Sequence, residues 1–483
     1  MTGPTLQIVA PGESALDAQR QLADQVFSRA AGAPLLRGNR VDLLQDAGEN
    51  YPAWLEAIEA AERSIHFEMY IFSDDATGRR FADRLCARAR DGVHVRILYD
   101  WLGALGKTPG RFWSHLREAG CEVRCVNPPR LANPLGWLSR DHRKLLSVDG
   151  RLSFVTGLCI SSSWEGDPAR DVAPWRDTGV GLQGPVVADC ERAFAKVWAA
   201  CGEPLPAEEI PDGADLPRAG EMDVRLIATD PDSAGLFRLD LLVAGLARSN
   251  LWLSDAYFAG NAAYIDSLRA AVSAGVDVRL LVPGVSDIPA VANFSRTMYR
   301  PLLDGGVRVF EWNGPMMHAK TAVADGRWAR VGSTNLNAAS WFGNWELDVA
   351  VEDEGFACAM EETYLRDLEG ATEIVLAARR KVRPREPVPH STSLHGSTNR
   401  AAAAALRASG AVGAALSDPR SIGAAEASAL ASFAVPLLLI ALFAFFLPRV
   451  VAWSIAAVAA VLAGWLLQRA ARLRARAEPG DGE

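Results

Sequence analysis

Two stretches of this chain carry the same pattern: a histidine, a lysine two residues later, and an aspartate five residues after that lysine. The members are His142, Lys144 and Asp149 in the first stretch and His318, Lys320 and Asp325 in the second. An imidazole can act as a nucleophile or as a general acid or base, and a lysine ammonium offers a fixed charge to a phosphate oxygen. The pattern therefore predicts a reaction on a phosphodiester, in which one histidine attacks phosphorus and the other protonates the leaving oxygen.

The spacing also predicts how these side chains are presented. Side chains two residues apart on a strand point to one face, so each histidine should share a face with the lysine of its own motif. Asp149-Gly150 and Asp325-Gly326 predict two-residue hairpin turns, with return strands over 152–155 and 328–331. The two aspartates complete the candidate catalytic set, although a position in a turn favours a structural role for them.

A loop of small residues begins seven positions after each aspartate, as Thr156-Gly157-Leu158-Cys159 and as Gly332-Ser333-Thr334-Asn335. The backbone N–H of Gly157, the Ser333 hydroxyl and the Asn335 amide are predicted to bind the phosphate. Two lysines can neutralise its charge, and no group of acidic, histidine and cysteine residues has the short spacing of a metal site. We therefore expect no metal and no other cofactor.

The overall composition limits the classes of function. A chain of 483 residues is long enough for two or three domains, and its formal net charge is −8. A non-specific nucleic-acid binder needs a basic excess, so nucleic acid is not an expected partner. The seven cysteines form no C-x-x-C pair, which is typical of free thiols in a reducing compartment.

The order of predicted strands and helices repeats along the chain, and the segment that begins at Gly92 corresponds to the one that begins at Gly275. Alternating helices and strands indicate α/β architecture with sheets covered by helices. After an N-terminal helical segment (1–38), we predict two α/β/α lobes, 39–205 and 206–378. A pseudo-twofold axis between the lobes would bring both motifs to one shared active site.

The composition changes after residue 378. Residues 379–427 are predicted to be a linker, first basic and then rich in Ala, Ser and Pro. Uncharged runs of 20 and 18 residues follow, and each is long enough to span a bilayer. They predict a transmembrane helical hairpin over 428–467, before a tail over 468–483. Arginines outside both ends predict that the ends lie in the cytoplasm.

The sequence resembles the phospholipase D superfamily, and within it the bacterial cardiolipin synthases. The doubled motif carries this resemblance over residues 40 to 390, together with Arg140-Asp141-His142-Arg143-Lys144 and Trp175-Arg176-Asp177-Thr178. The resemblance implies that His142 forms a phosphatidyl-histidine and that His318 is the general acid and base. It also implies that an acidic residue downstream of each motif orients the histidine of that motif, Asp177 for His142 and Glu346 for His318.

The chain departs from the family pattern at Thr156, where glycine is usual, and at Cys159, where asparagine is usual. Cysteine is a poor replacement for an amide donor, so the first half-site could be weakened. Five tryptophans flank the motifs, and we expect core or lobe-interface positions for most and an acyl-chain groove for one or two. They are Trp137, Trp164, Trp175, Trp341 and Trp345.

Together these features predict a membrane-anchored phosphatidyltransferase that acts on phospholipids, and the family resemblance implies phosphatidylglycerol as the acceptor. The expected location is the bacterial inner membrane, with the catalytic lobes facing the cytoplasm. Two alternatives stay open at this point. One is a hydrolase of the same superfamily, either a phospholipase D or a nuclease. The other is a non-catalytic membrane scaffold with a degenerate first half-site.

Overall fold

The computed structural model describes residues 15–129, 139–231 and 233–376, together with position 461. Apart from that position, the predicted linker, transmembrane hairpin and tail lie outside the described residues, as does Trp137. Within the described part of the chain, no helix combines the length and hydrophobicity needed to cross a membrane.

Fifteen strands within the described residues form one continuous sheet. In chain order they are β1 (Leu36–Gln45), β2 (Ser64–Met69), β3 (His94–Asp100), β4 (Glu122–Val126), β5 (Lys144–Val148), β6 (Leu152–Thr156), β7 (Thr178–Gln183), β8 (Met222–Thr229), β9 (Asn250–Ser254), β10 (Asp277–Pro283), β11 (Arg308–Trp312), β12 (Thr321–Ala324), β13 (Trp328–Gly332), β14 (Glu346–Glu352) and β15 (Ala371–Ile374).

Among the α-helices of the described residues, α1 precedes β1 and the others lie between strands. They are α1 (Ala15–Ala31), α2 (Asp46–Ala60), α3 (Ala76–Arg90), α4 (Trp101–Ala104), α5 (Gly110–Glu118), α6 (Ser162–Glu165), α7 (Val186–Ala200), α8 (Gly235–Leu246), α9 (Ala262–Ser273), α10 (Pro289–Thr297), α11 (Tyr299–Asp304), α12 (Ala338–Phe342) and α13 (Glu354–Glu369).

The strand order repeats about the centre of the sheet. Reading outward on one side gives β1-β7-β6-β5-β2-β3-β4, and on the other side β8-β14-β13-β12-β9-β10-β11, followed by β15. Because β1 and β8 pair antiparallel, this repeat has the symmetry of a pseudo-twofold axis between them. The α/β class and the repeat match the prediction. The two halves share one sheet, because β1 and β8 hydrogen-bond to each other and join them.

Each motif leads into a hairpin, β5–β6 in the first half and β12–β13 in the second. The return strands fall where the sequence predicts them, but both turns have three residues, because Val148 pairs with Leu152 and Ala324 with Trp328. In each turn Asp and Gly both adopt left-handed backbone conformations, with φ between 54° and 62°. The following arginine donates its N–H to the last carbonyl of the first strand, so pairing resumes only one residue later.

Three apolar clusters form the core of the part of the chain that the structure describes. One belongs to the first half and one to the second, whereas the third draws buried side chains from both, including Phe194 and Trp198 of α7 and Leu347 and Val349 of β14. The shared cluster packs the two halves against each other where β1 and β8 meet. It therefore fixes the position of one motif relative to the other.

Candidate active site

The segment that leads into β5 binds to the other half of the sheet. Asp141 forms a parallel bridge with Trp345, and the His142 N–H donates to the Trp345 carbonyl at 2.9 Å. The next residue, Glu346, begins β14, and its Oε2 accepts a hydrogen bond from His142 Nδ1 at 2.9 Å. A backbone contact between the halves thus brings the carboxylate of one half to the imidazole of the other.

The second motif repeats this arrangement in the opposite direction. The His318 N–H donates to the Arg176 carbonyl at 2.7 Å, and the bridge formed here joins Arg176 and Met317. Asp177 follows Arg176, and its Oδ2 accepts a hydrogen bond from His318 Nδ1 at 2.6 Å. Each histidine is therefore held by its Nδ1 to a carboxylate from the opposite half.

This crossed pairing corrects the expectation that each acidic residue orients the histidine of its own motif. Both carboxylates hydrogen-bond to a motif histidine, but Glu346 binds His142 and Asp177 binds His318. The physical reason is the pair of backbone bridges between the halves, which place the start of β14 beside His142 and the residue before β7 beside His318.

Both motif lysines are fully or almost fully buried. The Lys144 ammonium donates to the carbonyl of His142, and the Lys320 ammonium donates to that of His318. Lys320 Nζ also lies 3.0 and 3.1 Å from the two ring nitrogens of His318. Two buried cations thus lie beside the two imidazoles, as binding of an anionic phosphate requires.

Arg143 lies between His142 and Lys144 in the sequence but points in a different direction. Its guanidinium donates to three backbone carbonyls, those of Ala193, Thr229 and Glu346, at 2.9 to 3.1 Å. These carbonyls belong to α7, β8 and β14, so the side chain joins elements from both halves behind the motif. This orientation agrees with the predicted alternation of side chains along the motif.

Burial lowers the pKa of His142, and the Lys320 ammonium acts in the same direction. Burial and the adjacent Lys320 ammonium together lower the pKa of His318 to about 3, and Lys144 contributes as well. Each histidine is thus influenced by the lysine of the other motif, which is the behaviour of one shared site. Both imidazoles are neutral at neutral pH, with Nδ1–H bound to a carboxylate and Nε2 free of the proton.

The two carboxylates stay ionised. Burial raises the pKa of Glu346, but the interaction with His142, including the hydrogen bond from its imidazole, and the Lys144 ammonium outweigh it, so the net shift is downward. The pKa of Asp177 is lowered in the same way against burial, by His318 and Lys320. Ionised carboxylates can stabilise either imidazole when it becomes charged during a reaction.

Asp149 and Asp325 lie away from the histidines, in the turns at the far ends of β5 and β12. Their carboxylates accept hydrogen bonds from backbone N–H groups of the chain that enters the neighbouring strand. The donors are Glu62, Arg63 and Ser64 for Asp149, and Arg248, Ser249 and Asn250 for Asp325. These contacts favour a structural role for both aspartates over the predicted place in the catalytic set.

Two of the three predicted phosphate-binding groups are already engaged. The Gly157 N–H donates to the Thr178 carbonyl at 3.1 Å, and the Ser333 hydroxyl donates to Glu346 Oε2 at 2.6 Å. A Cβ at position 157 would lie 2.2 Å from Asp177 Oδ1, so glycine is needed there to leave room for that carboxylate. These contacts favour a role for Gly157 and Ser333 in supporting the histidine partners over the predicted contact with phosphate.

Asn335 remains a candidate for substrate contact. It is buried, and its Oδ1 has no hydrogen-bond partner in the part of the chain that the structure describes. Cys159 holds the equivalent position in the first half and packs within the first-half core. The Tyr51 hydroxyl donates to its carbonyl at 2.6 Å. The His142–Glu346 hydrogen bond is present with cysteine at this position.

Aromatic rings surround both histidines, and the motifs did not predict them as site residues. Tyr70 lies beside His142, with ring centroids 4.8 Å apart. Beside His318 lie Trp164, Trp175 and Tyr257, with centroids at 5.1, 5.7 and 5.9 Å. Proximity to a motif in the sequence was the only signal for the two tryptophans. The tyrosines follow β2 and β9, which end at the edge of the sheet where the motifs begin.

Comparisons with known proteins agree with this geometry. The sequence profile described as "Cardiolipin synthase, PLD-like domain" matches residues 54–164 and 244–368, one match on each motif. Cardiolipin synthase A of Pseudomonas aeruginosa is 33% identical over 360 residues, which cover 74% of this chain and 72% of that protein. Cardiolipin synthase of Alkalihalophilus pseudofirmus is 29% identical over 379 residues, covering 74% and 75% of the two chains.

The fold is similar to that of phosphatidylserine synthase from Haemophilus influenzae, at a TM-score of 0.57 and 13% identity. That match covers 72% of this chain and 91% of the other. The doubled motif, the two profile matches and the extent of the similarity to the Pseudomonas protein confirm the resemblance found in the sequence. The chain belongs to the family of cardiolipin synthase, phospholipase D-like domain proteins.

Proposed function

We propose that this protein is a membrane-anchored phosphatidyltransferase of cardiolipin-synthase type, which transfers a phosphatidyl group to phosphatidylglycerol through a phosphohistidine. The observation that carries the proposal is the crossed pair of His–carboxylate hydrogen bonds, His142 with Glu346 and His318 with Asp177, beside two buried lysines. The relatives named cardiolipin synthase support the choice of phospholipid as the substrate class.

In the first step, neutral His142 attacks phosphorus through Nε2, the P–N bond forms and the P–O bond to the glycerol headgroup breaks. His318 donates a proton to the departing oxygen. Lys144 and Lys320 bind the phosphate oxygens, with Asn335 as an additional contact. The negative diester favours the imidazolium form of His318, which burial and Lys320 disfavour, so substrate binding and protonation are coupled.

In the second step, His318 removes the proton from the hydroxyl of a second phosphatidylglycerol. That oxygen attacks phosphorus, the P–N bond breaks and His142 is regenerated. The balance is two phosphatidylglycerols consumed, with one cardiolipin and one glycerol formed. Exclusion of water from the buried site favours the lipid hydroxyl over hydrolysis.

The predicted C-terminal hairpin and basic linker belong to the same proposal, since they would hold the catalytic lobes beside substrate at the cytoplasmic face of the bacterial inner membrane. Uncharged runs of 20 and 18 residues support this assignment.

The test is incubation of the purified full chain with phosphatidylglycerol that carries labels in both the acyl chains and the headgroup glycerol. We expect labelled cardiolipin as the lipid product and one free labelled glycerol for each cardiolipin molecule formed. Phosphatidic acid as the only lipid product would instead assign hydrolysis, and cleavage of DNA without lipid turnover would assign a nuclease.

The scaffold alternative rested on Cys159. Both His–carboxylate pairs and both lysines are in place, which supports catalysis. Absence of any turnover by folded wild-type protein, with all of these lipids and with DNA, would support the scaffold.

A further inference from the structure

Trp164 contacts both members of the second His–carboxylate pair. It belongs to the short helix α6, between β6 and β7, and only 2% of its surface is exposed. Its indole Nε1–H donates to Asp177 Oδ2 at 2.9 Å, the same oxygen that accepts the hydrogen bond from His318 Nδ1. The indole and imidazole rings are 5.1 Å apart and nearly perpendicular.

The first pair has a corresponding second donor of different chemistry. Glu346 Oε2 accepts from His142 Nδ1 and from the Ser333 hydroxyl at 2.6 Å, while Asn344 Nδ2 lies 3.2 Å from Oε1. In both pairs, the oxygen that binds histidine therefore also accepts a second hydrogen bond from a buried side chain.

The exchange of donors follows from the equivalent loops. Ser333 occupies the position in the second loop that Gly157 occupies in the first. Glycine offers no hydroxyl, and a Cβ there would collide with Asp177 Oδ1. The first loop therefore has no side-chain donor at this position, and the space is occupied by Asp177. The indole of Trp164, in the following helix, supplies the second hydrogen bond instead.

We propose that Trp164 is a positioning residue for His318, acting through Asp177; for catalysis this rests on the function proposed above. An indole N–H can only donate, so it holds Asp177 Oδ2 in one orientation and cannot take up a proton itself. The imidazole is then kept with Nδ1–H toward Asp177 and Nε2 toward the substrate. When His318 becomes charged, the second hydrogen bond favours the carboxylate over the carboxylic acid, so the proton stays on His318.

The test compares Trp164→Phe with Trp54→Phe in the full-length protein. Trp54 is a matched control because it is fully buried in the same apolar cluster, and its Nε1 has no hydrogen-bond partner among the described residues. Each substitution removes the indole N–H and part of the ring. We expect Trp164→Phe to lower kcat about 10- to 100-fold with little change in KM, and Trp54→Phe to leave kcat within about 3-fold.

A second readout does not depend on activity. Histidines labelled with 15N report the position of each ring proton by NMR, and the His318 signal is assigned by its loss in His318→Gln. We expect a single neutral tautomer with the proton on Nδ1 in wild type and in Trp54→Phe, and a mixture of tautomers in Trp164→Phe. If Trp164→Phe fails to fold, Gly157→Ala displaces Asp177 from the other side and should give the same mixture.

The outcomes separate the two proposals. If wild type is active and Trp164→Phe turns over as fast as Trp54→Phe, the role of Trp164 is overturned and the proposed function stands. If wild type transfers no phosphatidyl group, the proposed function fails, and the tautomer of His318 alone decides whether Trp164 positions it. An unchanged His318 signal in Trp164→Phe would then overturn the inference.

Discussion

Burial and neighbouring cations set the protonation of the two histidines. Both are neutral at neutral pH, because burial lowers their pKa, although each is bound to a carboxylate that favours the charged form. A neutral imidazole suits the nucleophile, whereas the general acid must gain a proton when the anionic lipid binds. The division of labour between His142 and His318 can therefore be tested by removing the need for an acid.

A phosphatidyl ester of p-nitrophenol has a leaving group that departs without protonation. With this substrate we expect His318→Ala to release a first-turnover burst of p-nitrophenolate within about 10-fold of the wild-type rate. The burst rate of His142→Ala should be at least about 10³-fold lower than that of wild type, because no P–N bond can form. With phosphatidylglycerol both variants should lose at least about 10³-fold. A burst in His142→Ala and none in His318→Ala would indicate that His318 is the nucleophile and His142 the general acid.

Lys320 gives the site an alkaline limit. Burial lowers its pKa to about 8, so the ammonium is present below that pH and is lost above it. We expect kcat/KM, which reports on the free enzyme, to fall as the pH rises through about 8. Lys320→Arg should move this fall to higher pH, since guanidinium stays charged. Lys196→Arg, at an exposed lysine, is the control; an unchanged profile in Lys320→Arg would contradict the assignment.

The bridges before β5 and β12 have a consequence for coupling between residues. Glu346 acts on His142 and Asp177 acts on His318. The background for this test is His318→Ala, assayed by the rate of the p-nitrophenolate burst. Adding Asp177→Asn should lower that rate by less than a further factor of about 2, because the histidine partner of Asp177 is already absent. Adding Glu346→Gln to the same background should lower the burst rate by a further factor of about 10 to 100. The reverse order would contradict the crossed pairing and would indicate that each carboxylate acts on the histidine of its own half.

The turn between β12 and β13 belongs to folding rather than catalysis. Asp325 has φ of 55° and accepts hydrogen bonds from three backbone N–H groups. We expect Asp325→Ala to reduce the free energy of unfolding by about 2 kcal/mol, and Asp325→Asn by less, since asparagine tolerates the left-handed conformation and keeps one acceptor. Urea unfolding measures this effect. A large fall in kcat of fully folded Asp325→Ala would return the residue to the active site.

The sequence predicts what depends on local spacing. The histidines and lysines follow from the two-residue period of a strand, and the hairpins from Asp-Gly turns. The crossed carboxylates do not follow, because spacing along the chain does not reveal which segments pair across the sheet. The contact of Trp164 with Asp177 was likewise hidden, since it depends on the packing of a four-residue helix after the loop. The joined sheet depends on β1 meeting β8, two strands almost two hundred residues apart.

The proposed anchor predicts how the entire chain partitions between membrane and solution. A chain that stops after residue 378 should remain in the supernatant after lysis without detergent, whereas the full chain should sediment with membranes. With short-chain, monomeric phosphatidylglycerol, turnover by the shortened chain should stay within about 3-fold of turnover by the full chain. Turnover in vesicles should fall about 10²-fold, because the anchor supplies a high effective concentration of substrate. Sedimentation of the shortened chain with membranes would show that residues 15–376 bind lipid surfaces without the anchor.

The exchange of carboxylates between halves also constrains how such a site can arise. A polypeptide with a single half would hold an imidazole and a carboxylate that do not meet within it. Two copies around a true twofold axis would create both pairs at once, and a tandem duplication followed by fusion would preserve them in one gene. Once fused, each copy is free to diverge, and the hydroxyl in one half against the indole in the other is the kind of difference that only a fused, asymmetric descendant can encode.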